Sequence, residues 1–307
     1  MDASNNAISS QATPNLSAFR TILRNRHGFL SDVVDRSATT FGPRWVEEFE
    51  ETIGRLFPEP KMLTLAANGY ALFVVRLLRA QNQFEKDRRY QAKSYAQAAE
   101  EVYFDNEYMM SEYLPALLLS HYLWPHHYRQ MRFFDAAFVS QMKLQGPLQF
   151  AEVGVGTGLY SRRVLQRIPT ARGIGFDISP SSAAFAGTHV RAFGLQDRYE
   201  ILLQDVLADP MPSHEWLICV EVLEHLEEPV IFLKALRDGL APGGRAFITA
   251  ALNAPHVDHI YLYERPEQVI DHLRSAGFTL EQYFVGAAYK PRTPDLPVPT
   301  VAAYVVT

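Results

Sequence analysis

The chain has 307 residues (34.8 kDa), 48% of them apolar and 21% charged, with a net charge of 29 − 34 = −5. At about 150 residues per domain this is material for two domains with full cores, and it excludes both a disulfide-stapled mini-protein and a disordered chain. Residues 1–144 carry 16 basic and 16 acidic side chains and residues 145–307 carry 13 and 18, so neither half has the basic excess of a nucleic-acid binder. Cys219 is the only cysteine, which leaves no disulfide within the chain and no cysteine-based metal cluster and suits a reducing cytoplasm.

Residues 1–14, rich in Ser, Asn and Ala and ending at Pro14, read as a flexible leader without the basic and apolar regions of an export signal. Residues 15–144 have a helical pattern and form the first domain. Pro43 stands at a first helical position before apolar residues spaced by three and four, and Pro58-Glu59-Pro60 and Trp124-Pro125 mark helix boundaries. The longest apolar stretches, Tyr70 to Leu78 and Tyr113 to Leu119, fall short of the ~20 residues that cross a bilayer, so no membrane is expected. The apolar helices could present a homodimer face.

After Gly146-Pro147 the texture changes to the alternation of βαβ units, and residues 145–307 form a second domain. Strands are expected at Leu148 to Val153, Gly173 to Phe176, Glu200 to Leu203, Trp216 to Val220, Arg245 to Ala250, Tyr283 to Ala287 and Val301 to Val306. Helices fit about 158–168, 180–193, 227–239 and 266–276. The proline-rich connection 290–299 has no room for a helix, so the last two strands should close a parallel sheet as an antiparallel hairpin.

The first strand runs into Glu152-Val153-Gly154-Val155-Gly156-Thr157-Gly158, a strand-to-helix turn whose glycines let a ligand lie against the backbone. Asp177, with Ile178 beside it, follows Gly158 by 19 residues at the end of the second strand, where a carboxylate can accept both ribose hydroxyls. After the third strand, Asp205 can accept from an adenine amino group and Val206 can cover the ring. These strand ends share one crevice. A nicotinamide dinucleotide suits the turn less well, because its signature is G-x-G-x-x-G and the Glu152 charge would repel a pyrophosphate. S-adenosylmethionine, with an adenosine, a sulfonium and an ammonium, answers each feature.

On these residues the second half resembles a class I S-adenosylmethionine-dependent methyltransferase. The resemblance implies a Rossmann-like seven-stranded α/β sheet with an antiparallel last strand. It also implies cofactor binding by Glu152, Gly154, Gly156, Gly158, Asp177, Ile178, Asp205, Val206 and Glu221. The segment Val220 to Leu226 is similar to the family's stretch after strand four, in which Glu221 is either a cofactor contact or a cap and Glu224 and His225 read as helix-start residues. Leu240-Ala241-Pro242-Gly243-Gly244 is similar to the family's turn before strand five.

Methyl transfer needs an acceptor held in line and shielded from water, so the helical half should be a lid and substrate domain. Tyr103 to Phe134 holds nine aromatic residues in 32 positions together with His121, His126 and His127, and the loop from Asn253 to Tyr263 lies at the carboxyl end of the sheet. From these, His259, Tyr261 and His121 are candidate catalytic residues, and Tyr113, His126, Tyr263 and Arg76 candidate acceptor contacts; no metal is expected. The pairing of a helical N-terminal half with this domain also resembles bacterial methionine S-methyltransferases, which implies an amino-acid acceptor such as methionine, giving S-methylmethionine. N- or O-methylation of a secondary metabolite is the alternative, followed by a nicotinamide-dependent oxidoreductase or a non-catalytic cofactor-binding protein.

Overall fold

The computed structural model describes residues 13–145, 148–291, 293 and 295–307. The leader up to residue 12, the Gly146-Pro147 step, and Arg292 and Pro294 of the hairpin connection lie outside the described residues.

The helical half contains α1 (Pro14–Arg26), α2 (Val33–Phe41), α3 (Pro43–Leu56), α4 (Pro60–Asp87), α5 (Tyr95–Ala98), α6 (Asn106–Tyr108), α7 (Leu114–Leu123), α8 (Pro125–Phe133) and α9 (Ser140–Met142). The sheet half runs β1 (Gln149–Val153), α10 (Leu159–Arg167), β2 (Arg172–Asp177), α11 (Pro180–Ala192), β3 (Tyr199–Leu203), β4 (His214–Cys219), α12 (Pro229–Asp238), β5 (Leu240–Leu252), α13 (Pro266–Ser275), β6 (Leu280–Ala287) and β7 (Thr300–Val306). Pro14, Pro43, Pro60, Pro125, Pro180, Pro229 and Pro266 each open a helix, where the missing N–H costs nothing and the fixed φ favours the first turn.

The seven strands are ordered β3-β2-β1-β4-β5-β7-β6, with β7 antiparallel to both neighbours and the remaining pairs parallel. The stretch Leu240 to Gly244, expected to be a turn, is instead the start of β5. Leu240 pairs with His214, a register irregularity between His214 and Trp216 absorbs the extra residues, and Gly243 adopts φ +75°. The reversal of strand order at β1 and β4 opens the crevice in which ligands of such sheets bind.

Two cores flank the sheet. Leu233 and Leu236 of α12 and Val269 and Leu273 of α13 cover one face. On the other, Phe134 packs edge-on against Phe247 at 4.8 Å and Phe138 against Trp216 at 5.2 Å, in a core continuous with the helical half. An ion cluster fixes that junction. The fully buried Arg163 of α10 donates from Nε to Asp135 Oδ1 (3.1 Å) and from Nη1 to Glu48 Oε2 (3.3 Å), and Arg167 Nη2 donates to Asp135 Oδ2 (2.9 Å). Burial alone would raise the Glu48 carboxyl, but Arg163, Arg44 and Arg167 hold it below its ordinary value.

Two features of the helical half differ from expectation. α4 is 28 residues long and, among the described residues, is the one helix long and apolar enough to cross a membrane by length and composition, because the apolar pattern continues through the polar positions that bound the short stretches. It nevertheless buries Leu63, Ala67, Tyr70 and Phe73 in the helical core. In addition, the chain from residue 88 to 113 forms a strip with two π-helical turns, Ala99–Tyr103 and Met109–Tyr113, laid across the carboxyl end of the sheet. Ser179 Oγ donates to the Tyr103 carbonyl (3.0 Å), the Tyr95 N–H to Glu227 (2.8 Å), and the Ala254 N–H to the Tyr90 hydroxyl (3.0 Å).

Candidate active site

The crevice, the strip and helices α4, α7 and α8 enclose a cavity of about 960 Å³. At the crevice end the strand-to-helix bend brings three glycines into positive φ. Gly156 (φ +50°) has nothing within 4 Å of where a Cβ would stand, so its backbone faces open space that a ligand can occupy. Gly158 (φ +70°) serves packing instead. A Cβ there would meet the Ala186 Cβ at 2.9 Å and its Cα at 3.1 Å, so this glycine seats α10 against α11 and does not line the cavity.

Asp177 ends β2 with its carboxylate pinned by backbone donors, the Gly156 N–H to Oδ2 (3.0 Å) and the Ser179 N–H to Oδ1 (2.8 Å). Burial raises its pKa and these amide bonds oppose the rise. Ile178, Asp205 and Val206 line the same end, with Asp205 Oδ1 accepting from the Leu207 N–H (2.9 Å). Glu152 lines it too, but its Oε2 accepts from the hydroxyl and the N–H of Ser161 at the start of α10, and burial pushes its pKa up to about 8. The carboxyl group therefore ties the bend to α10, a role not apparent from the sequence. Glu221 has φ +52°, strained for a residue with a side chain, and is held by Thr249: its N–H donates to Oγ1 (2.9 Å), and Oγ1 donates to Oε1 (2.5 Å). Burial lifts its pKa to about 7, and burial beside Glu221 lifts the fully buried Glu224 well above its ordinary value.

Tyr95 and Tyr103 of the strip complete this wall. Burial, with Asp205 and Asp177 nearby, raises Tyr95 to about 12, so a neutral hydroxyl faces the two strand-end acids. These residues fit S-adenosylmethionine: open space over Gly156, an anchored acid for a ribose, an apolar cover at Val206 and carboxylates near the bend.

Farther in, Asp258 is fully buried and gathers donors from both halves of the chain. Tyr113 Oη donates to Oδ2 (2.8 Å), His256 Nδ1 bonds Oδ1, and His225 Nδ1 lies 3.4 Å from Oδ2. Burial would raise this carboxyl group, but the three surrounding histidines hold it well below the ordinary range. His225, His256 and His259 all line the cavity. Burial holds His259 neutral, and its Nδ1 has no partner. Ligand atoms of Glu224, His225 and His259, and likewise of His256, Asp258 and His259, lie within 4.8 Å of one another, so a cation could be held there although none is expected from the sequence.

Tyr113, His121 and His126 also line the cavity, whereas three expected contacts lie elsewhere. Tyr263 is fully buried on the α13 side of the sheet, where it bridges to Leu252 and its hydroxyl lies 3.0 Å from His272 Nδ1. Tyr261 packs beside Tyr263 at 4.7 Å and shares that histidine. Arg76 is held by Glu112 (2.6 Å) and faces a separate, more polar cavity. Sequence reasoning does not single out Asp258, ranks His256 below His259 as a loop histidine and reads His225 as a helix-start residue, although the string His256-Val257-Asp258-His259 in a loop at the sheet's carboxyl end is a signal for the first two.

Residues 151–246 match the family described as "Methyltransferase domain". A ubiquinone biosynthesis O-methyltransferase of Idiomarina loihiensis is 34% identical over 32% of this chain and 40% of its own length, and one of Pseudomonas fluorescens is 27% identical over 46% and 68%. The chain thus spans less than half of the first of these relatives. The pyocyanin biosynthetic protein PhzM superposes with a TM-score of 0.51 over 78% of this chain and 72% of its own at 16% identity, a likeness of fold. Residues 151–246 are thus a methyltransferase domain, set in a sheet with the strand order of the class I fold, and the cradle at the strand ends fits S-adenosylmethionine as its cofactor. Both curated relatives are named for an O-methylation in ubiquinone biosynthesis, and neither for S-methylation of methionine.

Proposed function

We propose that the protein O-methylates a small, largely apolar aromatic acceptor, with His256 as general base held by Asp258. The observation that carries this reading is the bond from His256 Nδ1 to the buried Asp258. A carboxylate bonded to one ring nitrogen fixes the proton there and leaves Nε2 as the basic atom, the arrangement that lets an imidazole remove a hydroxyl proton. A thioether acceptor needs no proton removed, so such a dyad would be idle in methionine S-methylation.

When bound, the cofactor supplies an electrophilic methyl group on a sulfonium. The chain's own residues orient and protect. Asp177, Asp205 and the Gly156 backbone hold the nucleoside at one end; Phe73, Leu114, Leu117 and Trp124 give the acceptor an apolar wall and exclude water; His256 takes the acceptor's proton. The names of the relatives support O-methylation over N- or S-methylation. A second reading, in which a divalent cation held by Glu224, His225 and His259 acidifies the acceptor hydroxyl, is favoured by the closeness of those ligand atoms.

The test is incubation with methyl-labelled S-adenosylmethionine and a panel of phenols, amines and methionine, with and without a chelator. Labelled phenyl ethers formed in the presence of the chelator are expected. S-methylmethionine as the main product would overturn the O-methylation reading, and loss of activity on chelation would favour the reading in which a cation acidifies the acceptor hydroxyl.

A further inference from the structure

The inner end of the cavity carries a second group of histidines that the base dyad does not use. His121, His126 and His127 follow one another around the α7–α8 corner and all line the cavity. The ring centroids of His121 and His127 are 5.1 Å apart, and those of His126 and His127 4.5 Å, with Trp124 stacked on His126 at 5.7 Å.

The hydrogen bonds fix where the protons sit on two of these rings. His121 Nδ1 lies 2.9 Å from the Leu117 carbonyl oxygen, which can only accept, so Nδ1 carries the hydrogen and Nε2 carries a lone pair. Ser120 Oγ donates its hydrogen to that same carbonyl (2.7 Å) and therefore accepts from His127 Nδ1 (3.0 Å), which places a lone pair on His127 Nε2 as well. His121 Nε2 and His126 Nδ1 are buried without partners. No carboxylate among the described residues bonds any of the three rings, in contrast to His256 and Asp258. Burial lowers His121 to about 4 and His126 to about 3, and Arg163 and Arg129 add to the effect, so the rings stay neutral.

An unpartnered buried acceptor at the end of an apolar cavity is costly until a ligand donor reaches it. We propose that His121 Nε2, with the neutral His126 ring nearby, forms a recognition site for a neutral hydrogen-bond donor, a hydroxyl or N–H group carried by the acceptor molecule, and that the His121 lone pair disfavours acceptors presenting a carboxylate or only an ether oxygen there. This inference rests on the reading that the cavity takes a small apolar acceptor, and it excludes free amino acids presenting their carboxylate at this end.

Binding to the full-length protein saturated with S-adenosylhomocysteine, which blocks turnover, tests the site. The probes are 4-hexylphenol, 4-hexylanisole and 4-hexylbenzoate, followed by calorimetry and tryptophan fluorescence. The phenol should bind at least tenfold more tightly than the other two. The double variant His121→Phe/His126→Phe should reduce that preference below threefold while S-adenosylhomocysteine affinity and melting temperature stay near wild type, and His256→Phe should leave the preference in place. His121→Asn, a smaller change that keeps an acceptor, serves if the double variant fails to fold and should retain part of the preference. The proposal is overturned if the wild type binds phenol and ether alike, if no probe binds, if the preference survives in the double variant, or if it disappears in His256→Phe alone. Phenol preference here together with no methylation of any phenol in the acceptor panel would instead sink the O-methylation reading and leave this site standing.

Discussion

Tyr113 and Asp258 are 145 positions apart in the chain, yet the tyrosine hydroxyl donates to the aspartate at 2.8 Å, joining the helical half to the loop after β5. The same carboxylate bonds His256 Nδ1 on its other oxygen. The base of one half is thus oriented in part from the other.

Asp258→Asn should lower turnover by about 10²–10⁴-fold, the range ascribed to general-base catalysis, because the imidazole loses its fixed tautomer. Affinity for S-adenosylmethionine by calorimetry should change less than threefold. Normal turnover in this variant would remove the dyad from the mechanism.

The bend glycines should separate by readout. Gly156→Ala places a side chain in left-handed backbone and in the open space over the bend, so cofactor affinity should drop more than tenfold with a modest loss of about 1–2 kcal/mol in stability. Gly158→Ala drives a methyl group into the α11 backbone, so melting temperature should fall first. Equal cofactor affinity in the Gly156→Ala and wild-type proteins would mean that no ligand lies over the bend.

Asp177→Ala should abolish measurable cofactor binding while circular dichroism stays unchanged, since the carboxylate organises the bend amides as well as facing the crevice. Unchanged affinity would remove the ribose assignment.

The cofactor-free protein should be most stable near pH 6.5. His121, His126, His127, His189 and His259 have folded-state pKa values lowered by burial, so on acidification the unfolded chain takes up protons that the native state refuses, and stability falls below about pH 6.5. Glu152 and Glu221 have folded pKa values raised to about 8 and about 7, so between pH 4.5 and those values the native state binds more protons than the unfolded chain. Their contribution declines as pH rises through that window. Glu152→Gln should flatten the alkaline slope by up to ~1.4 kcal/mol per pH unit. Denaturant titrations at pH 5, 6.5 and 8 check this, and a steady rise in stability to pH 8 would contradict the raised carboxyl groups.

Much of the sheet was legible because a buried parallel strand must be a short apolar run and because Gly154, Asp177 and Asp205 each fall where such a run stops. Prolines at helix starts made most helix boundaries readable as well. Side-chain direction in the loop after β5 was not readable. Tyr261 and Tyr263 look like an aromatic wall, but the backbone bridge from Tyr263 to Leu252 turns them toward α13 and His272. Nor could the sequence show that Tyr95 reaches the strand-end acids and that Tyr103 turns toward Asp258, since only the tertiary course of residues 88–113 brings them there. Arg76 looks free to clamp a carboxylate in the sequence, but the fold sets Glu112 beside it.

The ionic junction around Arg163 has a consequence for how ligands come and go. Separating the two halves would break the bonds of the fully buried Arg163 to Asp135 and Glu48 and open the packed core around them. The 88–113 strip, by contrast, is tied to the sheet half through hydrogen bonds at Tyr90, Tyr95, Tyr103 and Tyr113, so it is the part of the cavity wall that can yield while the ionic junction stays closed.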